Sequence, residues 1–219
     1  MDTATFSEFF RRLTDEIRQR FESHPGCHDW DHTRRVLHNA RILADAEGAD
    51  RQVCETGAVL HDVGRLQELE DEGATCHAKL GAEIAPDLLR QLGVPDEEFI
   101  ERVRQCVESH RYRRRGTPPP NSLEAKVVYD ADKLDSLGAV GIGRAFHFAG
   151  RVGARVHNST DEALASESYS RNDTAYREYL VKLQHVHERM LTETGRSMGQ
   201  RQHDFMVQFF RELNRECPG

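Results

Sequence analysis

The stretch AVLHDVGR, residues 58–65, decides how this chain is read. It ends an apolar segment in which Val53, Gly57 and Leu60 recur at helical spacing behind Asp50, a good N-cap. Gly64 is a natural stop for that helix. The helix therefore ends on His61 and Asp62. A charged pair at such a place is costly unless it is paired or bound to a metal ion. The plainer reading is that a histidine is welcome at a helix C-terminus anyway.

The same period runs outward in both directions. Phe6, Phe9, Phe10, Leu13, Ile17 and Phe21 form one stripe, with Thr5 and Glu8 expected as a capping box and Pro25-Gly26 as the stop. A second helix is expected over 31–47. Beyond Gly64, His77 to Leu92 reads as a helix, Pro95-Asp96 opens another, and residues 113–121 read as a proline loop. Ser122 should cap a helix through Val127, Val128, Ala131 and Leu134, and a glycine-punctuated helix follows to about residue 150. Residues 151–172 read as a long surface loop. Two closing helices are expected over 173–216, one from Asp173 through Met190 and one through Met198, Phe205 and Leu213. No segment sustains strand alternation, and Lys126–Tyr129 is only a short hint. The fold class is all-α, read as a single domain over 1–219 with its core at about 27–150.

Composition removes other classes. The chain has 219 residues, 37% hydrophobic and 31% charged, with a net charge of −7. An acidic balance argues against a duplex nucleic-acid partner. No run approaches the roughly 20 apolar residues of a membrane span. The N-terminus lacks an apolar leader core, and the five cysteines form no C-x-x-C pair. Reduced thiols and a cytoplasmic location fit best. The apolar closing helices could be core or a homodimer interface, and sequence leaves the oligomeric state open.

Twelve histidines are many for this length, and histidine is the commonest metal ligand. A His-Asp dipeptide carries little alone, and there are three, beginning at His28, His61 and His203. Context separates them. Asp132 lies in KVVYDADKLDSLG, on an otherwise apolar helix, beside Asp130 and Asp135. Three such carboxylates repel one another unless a cation or Lys133 compensates. His32 lies in HDWDHTRRV at a helix start, and His28 would share its face if the helix began early enough. Two histidines, a neighbouring aspartate and a distant one make a mixed nitrogen and oxygen set. Such a set suits Mn, Mg, Fe or Zn rather than thiolate chemistry.

The order His32, His61-Asp62, Asp132 resembles the HD-domain superfamily of metal-dependent phosphohydrolases. HDWDHTRRV, LHDVG and DADKLDSLGAVGIGRAF resemble a stand-alone bacterial and archaeal subfamily of it, and TAYREYL and RQHDFMVQFF resemble that subfamily's C-terminal part. The resemblance implies a helical bundle in which His32, His61, Asp62 and Asp132 bind a divalent ion. It places His77 and His110 where some relatives hold a second ion, with Asp62 as the bridge. Here the chain departs from those relatives: it lacks a double histidine near 110, and Arg65 stands where lysine is common. His77 and His110 could instead cap helix ends or donate to a substrate phosphate.

The implied activity is hydrolysis of a small phosphorylated molecule, such as a nucleotide, by a metal-activated water that Asp62 orients or deprotonates. Arg65, Lys79, Arg111 and Lys133 are the candidate phosphate-binding cations, each of which could equally belong to a solvated face. The run Arg111–Arg115 could collect an anionic substrate. His28 is a candidate supporting partner of the metal site. Gly138, Gly141 and Gly143 follow no strand and read as helix packing near the metal rather than a phosphate loop. Two other functions share such a site: a dinuclear-iron oxygenase, and a ligand sensor that has lost its chemistry.

Overall fold

The computed structural model describes residues 1–22, 29–71, 74–112 and 119–217. They are helical, with no strand among the described residues. The chain divides into two compact units, Met1–Asp132 and Lys133–Gly219.

The first unit is built from α1 (Thr3–Glu22), α2 (Trp30–Glu47), α3 (Arg51–Leu60), α4 (Arg65–Glu70), α5 (His77–Gln91), α6 (Glu97–Ser109) and α7 (Leu123–Leu134), whose last two residues pass into the second unit. Each amphipathic stripe becomes core. Leu13 and Ile17 of α1, Val36 and Leu43 of α2, Leu60 of α3, Leu89 of α5 and Val103 of α6 are all fully or almost fully buried. Aspartates start three of these helices: Asp29, Asp50 and Asp96 each accept backbone N–H groups of the first turn. The cap of α1 differs from expectation. Asp2, not Thr5, accepts the free N–H groups of Ala4 and Thr5, at 3.0 and 3.1 Å. Arg102 of α6 ties two further helix starts together, pairing with Asp50 at 2.9 Å and with Glu124 of α7 at 3.1 Å.

Two glycines permit the close approaches that this packing needs. A Cβ on Gly57 would stand 2.9 Å from Cys106 Cβ, so α3 and α6 meet there backbone to side chain. A Cβ on Gly64 would stand 2.5 Å from the carbonyl oxygen of His77 and 2.8 Å from the backbone nitrogen of Gly81. The glycine of HDVGR therefore does more than stop α3. It lets the start of α5 lie against the turn that carries His61 and Asp62. The short helix α4, between that turn and α5, was not expected from the sequence.

The second unit holds α8 (Gly138–Arg151), α9 (Thr160–Ala165), α10 (Ala175–Val181), 3-10 turns at Leu183–His185 and His187–Arg189, and α11 (Glu193–Glu216). The expected loop 151–172 contains α9, closed by a capping box between Ser159 and Glu162. The expected helix from Asp173 to Met190 stops at Val181, because Lys182 leaves helical geometry (φ −141°, ψ −59°), and continues as the two 3-10 turns. Tyr179 stacks on Phe210 with ring centres 4.3 Å apart, which seats α10 on α11. Two of the glycines of α8 serve packing within this unit. Gly138 takes φ +64° against Gln202, Gly141 lies against the backbone of Ser136, and Gly143 meets nothing within 4 Å.

Substituting Gly64→Ala should overpack the contact with α5 and lower stability by about 1–3 kcal/mol. Chemical denaturation of the variant checks this, and an unchanged midpoint would show that α5 does not lie against that turn.

Candidate metal centre

Helix ends build the site. His32 occupies the first turn of α2, where Asp29 accepts its backbone N–H at 2.9 Å. His61 is the C-cap of α3 and His110 the C-cap of α6. Each of these two rings bonds the carbonyl three residues back through Nδ1: His61 to Ala58 at 2.7 Å and His110 to Val107 at 2.6 Å. A carbonyl only accepts, so in both rings Nδ1 carries the proton and Nε2 presents a lone pair. His77 is the first residue of α5. Its Nδ1 lies 2.6 Å from Glu68 Oε2 of α4.

The four rings meet in pairs. His32 Nε2 lies 3.1 Å from His61 Nε2, and His77 Nε2 lies 3.1 Å from His110 Nε2. Asp62, 3% exposed, stands between the pairs. Its Oδ1 lies 3.2 Å from His77 Nε2 and 3.6 Å from His110 Nε2. Its Oδ2 lies 3.5 Å from His61 Nε2 and 3.7 Å from His32 Nε2. Asp132 stands beside the first pair, with Oδ1 3.5 Å from His32 Nε2 and 4.0 Å from His61 Nε2. Among the described residues, two groups could thus hold a metal ion: His32, His61 and Asp132, and Asp62, His77 and His110.

The donors suit divalent cations. Burial pushes the His77 imidazole down to about 3, with His110 and Arg65 adding to the effect against Asp62 and Glu68. Burial also lowers His110. Both rings are therefore neutral ligands at neutral pH. Nδ1 of His110 donates to the carbonyl of Val107, and Nδ1 of His77 faces the carboxylate of Glu68. The two Nε2 atoms lie 3.1 Å apart, close enough for one cation to engage both. Glu68 itself is ionised. Burial raises its carboxyl, but the hydrogen bond from His77 and the guanidinium groups of Arg65 and Arg111 outweigh that and hold it below the usual carboxylate range.

The structure thus gathers His32, His61, Asp62, Asp132, His77 and His110. Asp130 is fully buried, and Asp135 belongs to the second unit, where it pairs with Arg144 at 2.8 Å. Arg65 and Arg111 both donate to Glu68, Arg65 at 2.6 Å. Lys79 is exposed on α5 with no ion pair recorded among the described residues. Lys133 is half-buried and belongs to the second unit. His28 and Arg113–Arg115 lie outside the described residues.

Glu68 was missed in the sequence. Its signal there is faint: one of several acidic residues in RLQELEDE, three places after Arg65. Only burial to 9% exposure and the contact with His77 distinguish it. Of the other histidines, His157 bonds Asn214 at 2.7 Å and His187 stacks on His203 in the second unit. Cys54, Cys76, Cys106 and Cys217 are free thiols.

A helical unit that buries two clusters of imidazoles and carboxylates around one shared aspartate defines a class of protein whose interior could hold divalent ions. The chain belongs to the HD-domain hydrolase superfamily, and the HD domain profile matches residues 29–137. It is 35% identical over 194 residues to Bacillus subtilis YpgQ, an uncharacterised protein, covering 88% of this chain and 85% of YpgQ. The crystal structure of YpgQ in complex with ADP is similar with a TM-score of 0.71 at 30% identity, over 96% of this chain and 98% of that one. An HD-superfamily hydrolase from Bacillus thuringiensis gives a TM-score of 0.74 at 28% identity, over 96% and 97% of the two chains. The symmetrical bis(5'-nucleosyl)-tetraphosphatase of Bacillus subtilis is 28% identical over 125 residues, 49% of this chain and 61% of that protein. No helix among the described residues is long and apolar enough to cross a membrane.

Replacing Asp29 with Ala removes the acceptor that fixes the first turn of α2. It should cost about 1 kcal/mol of stability and weaken Mn²⁺ binding through His32. Thermal unfolding with and without Mn²⁺ checks both. An equal loss in the two conditions would separate the cap from the site.

Proposed function

We propose that this chain is a metal-dependent phosphohydrolase that cleaves a phosphoester or phosphoanhydride bond of a small phosphorylated molecule, a nucleotide being the favoured substrate. The observation that carries this reading is the position of Asp62, with one carboxylate oxygen toward each histidine pair. The ADP found on YpgQ and the activity named for the tetraphosphatase support a nucleotide. The ions belong to the Mn, Mg, Fe and Zn group, and the second cluster favours two of them.

His32, His61, Asp62 and Asp132 would hold one ion, and His77 and His110 would join Asp62 around another. A divalent ion held there supplies a water whose pKa falls toward about 7 and offsets charge on a phosphoryl group. Asp62 would orient the attacking water and accept its proton. The three imidazoles whose Nδ1 protons are committed keep Nε2 turned to the centre, so the donor set is preorganised and loses little freedom on loading. Lys79, which no carboxylate engages among the described residues, is available to meet a phosphate.

The test is direct. Metal content is measured on the purified chain, and phosphate or pyrophosphate release from nucleotides is then followed with each ion. Asp62→Ala should lose metal and fall roughly a thousand-fold in activity, the factor that several kcal/mol of transition-state stabilisation represents. Full metal content and activity in that variant would refute the assignment. Oxygen uptake by the Fe²⁺ form without phosphate release would point to the oxygenase chemistry that a dinuclear centre also permits.

A further inference from the structure

We propose that Glu68 is a positioning residue that fixes His77 as a ligand of the second cluster, and that Arg65 and Arg111 act on that cluster by holding Glu68. This rests on the two-ion reading of the site.

The two clusters are unequally built. The first has Asp132 as its own carboxylate besides the shared Asp62. Among the described residues, the second has Asp62 as its one carboxylate ligand, with His77 and His110. His110 takes its orientation from the carbonyl of Val107. Among the described residues no such carbonyl serves His77, which starts a helix and so has no preceding turn of that helix behind it. Its Nδ1 acceptor is instead the side chain of Glu68, at 2.6 Å.

A carboxylate at that distance accepts the Nδ1 proton, leaves the Nε2 lone pair for a metal and makes the ring a stronger donor. Glu68 is itself fixed. Oε2 accepts from Arg65 at 2.6 Å as well as from His77, and Oε1 accepts from Arg111. The 2.9 Å approach of Arg65 to His77 Nδ1 is then two donors converging on one oxygen. Arg111 follows His110 directly. One chain segment therefore supplies a ligand of the second cluster and helps to anchor the other.

Two measurements on the full-length protein test this. In the metal-free chain labelled with ¹⁵N-histidine, the His77 ring should be the Nδ1–H tautomer. Both Glu68→Gln and Glu68→Ala should shift it toward Nε2–H. A wild-type ring already protonated on Nε2, donating to Asp62, would overturn the proposal by itself.

Titration with Mn²⁺ then counts and ranks the ions. Wild type should bind two, and the Glu68 variants should weaken the second roughly 10–100-fold while leaving the first within about twofold. Arg111→Ala should weaken the second ion severalfold with no substrate present. Ion binding unchanged by it would return Arg111 to phosphate binding. A wild-type chain that binds no ion would defeat the functional reading itself. Two ions bound with unaltered affinities in both Glu68 variants would defeat this proposal alone.

Discussion

Asp62 is a carboxylate taken almost wholly out of water and set among four imidazoles. Removing such a charge from solvent costs several kcal/mol even after relaxation. Burial keeps His77 and His110 neutral, so those rings do not offset it. The structure around Asp62 answers to this constraint. The turn after α3 places it, Gly64 lets α5 come close enough to bring His77, the C-cap of α6 brings His110, and the capped first turn of α2 brings His32. Divalent cations on its two sides would turn an expensive burial into a strong binding site.

Helix ends suit this purpose. A side chain in mid-helix shares its ring orientations with packed neighbours. A cap residue can turn its Nδ1 back to a carbonyl that the helix leaves free. His61 and His110 do this identically on two different helices. The aspartates at the helix starts work from the other side, fixing the backbone on which ligands such as His32 sit. The stability of this unit and the geometry of its centre therefore draw on the same few terminal residues.

Much of this was legible from the residues. The period of 3.6 gave the helices, and Asp50, Asp96 and Ser122 marked their starts because capping is a local interaction with few solutions. His61, Asp62 and Asp132 stood out because polar groups at the end or on the face of apolar helices need a reason, and the resemblance joined them with His32 into one ligand set. The breaks inside apparent helices were less visible. Lys182 interrupts a stripe whose apolar period continues through Val186, and α9 is short and sits in polar sequence. Glu68 lay beyond reach for a different reason. Its importance comes from a partner nine residues on and another forty-three on, and no local pattern records such a meeting. The roles given to Arg65 and Arg111 suffered likewise, since sequence shows a cation but not the carboxylate that engages it.

The Nδ1 partners of His61 and His110 are main-chain carbonyls, whereas that of His77 is a side chain. A carbonyl of the backbone survives any point mutation, but a carboxylate is one codon from being lost. Genetic drift therefore bears unevenly on the three rings. Two orientations are protected by the covalent chain itself. The third rests on one side chain, so on the proposed role of Glu68 a single substitution would weaken the second cluster and spare the first.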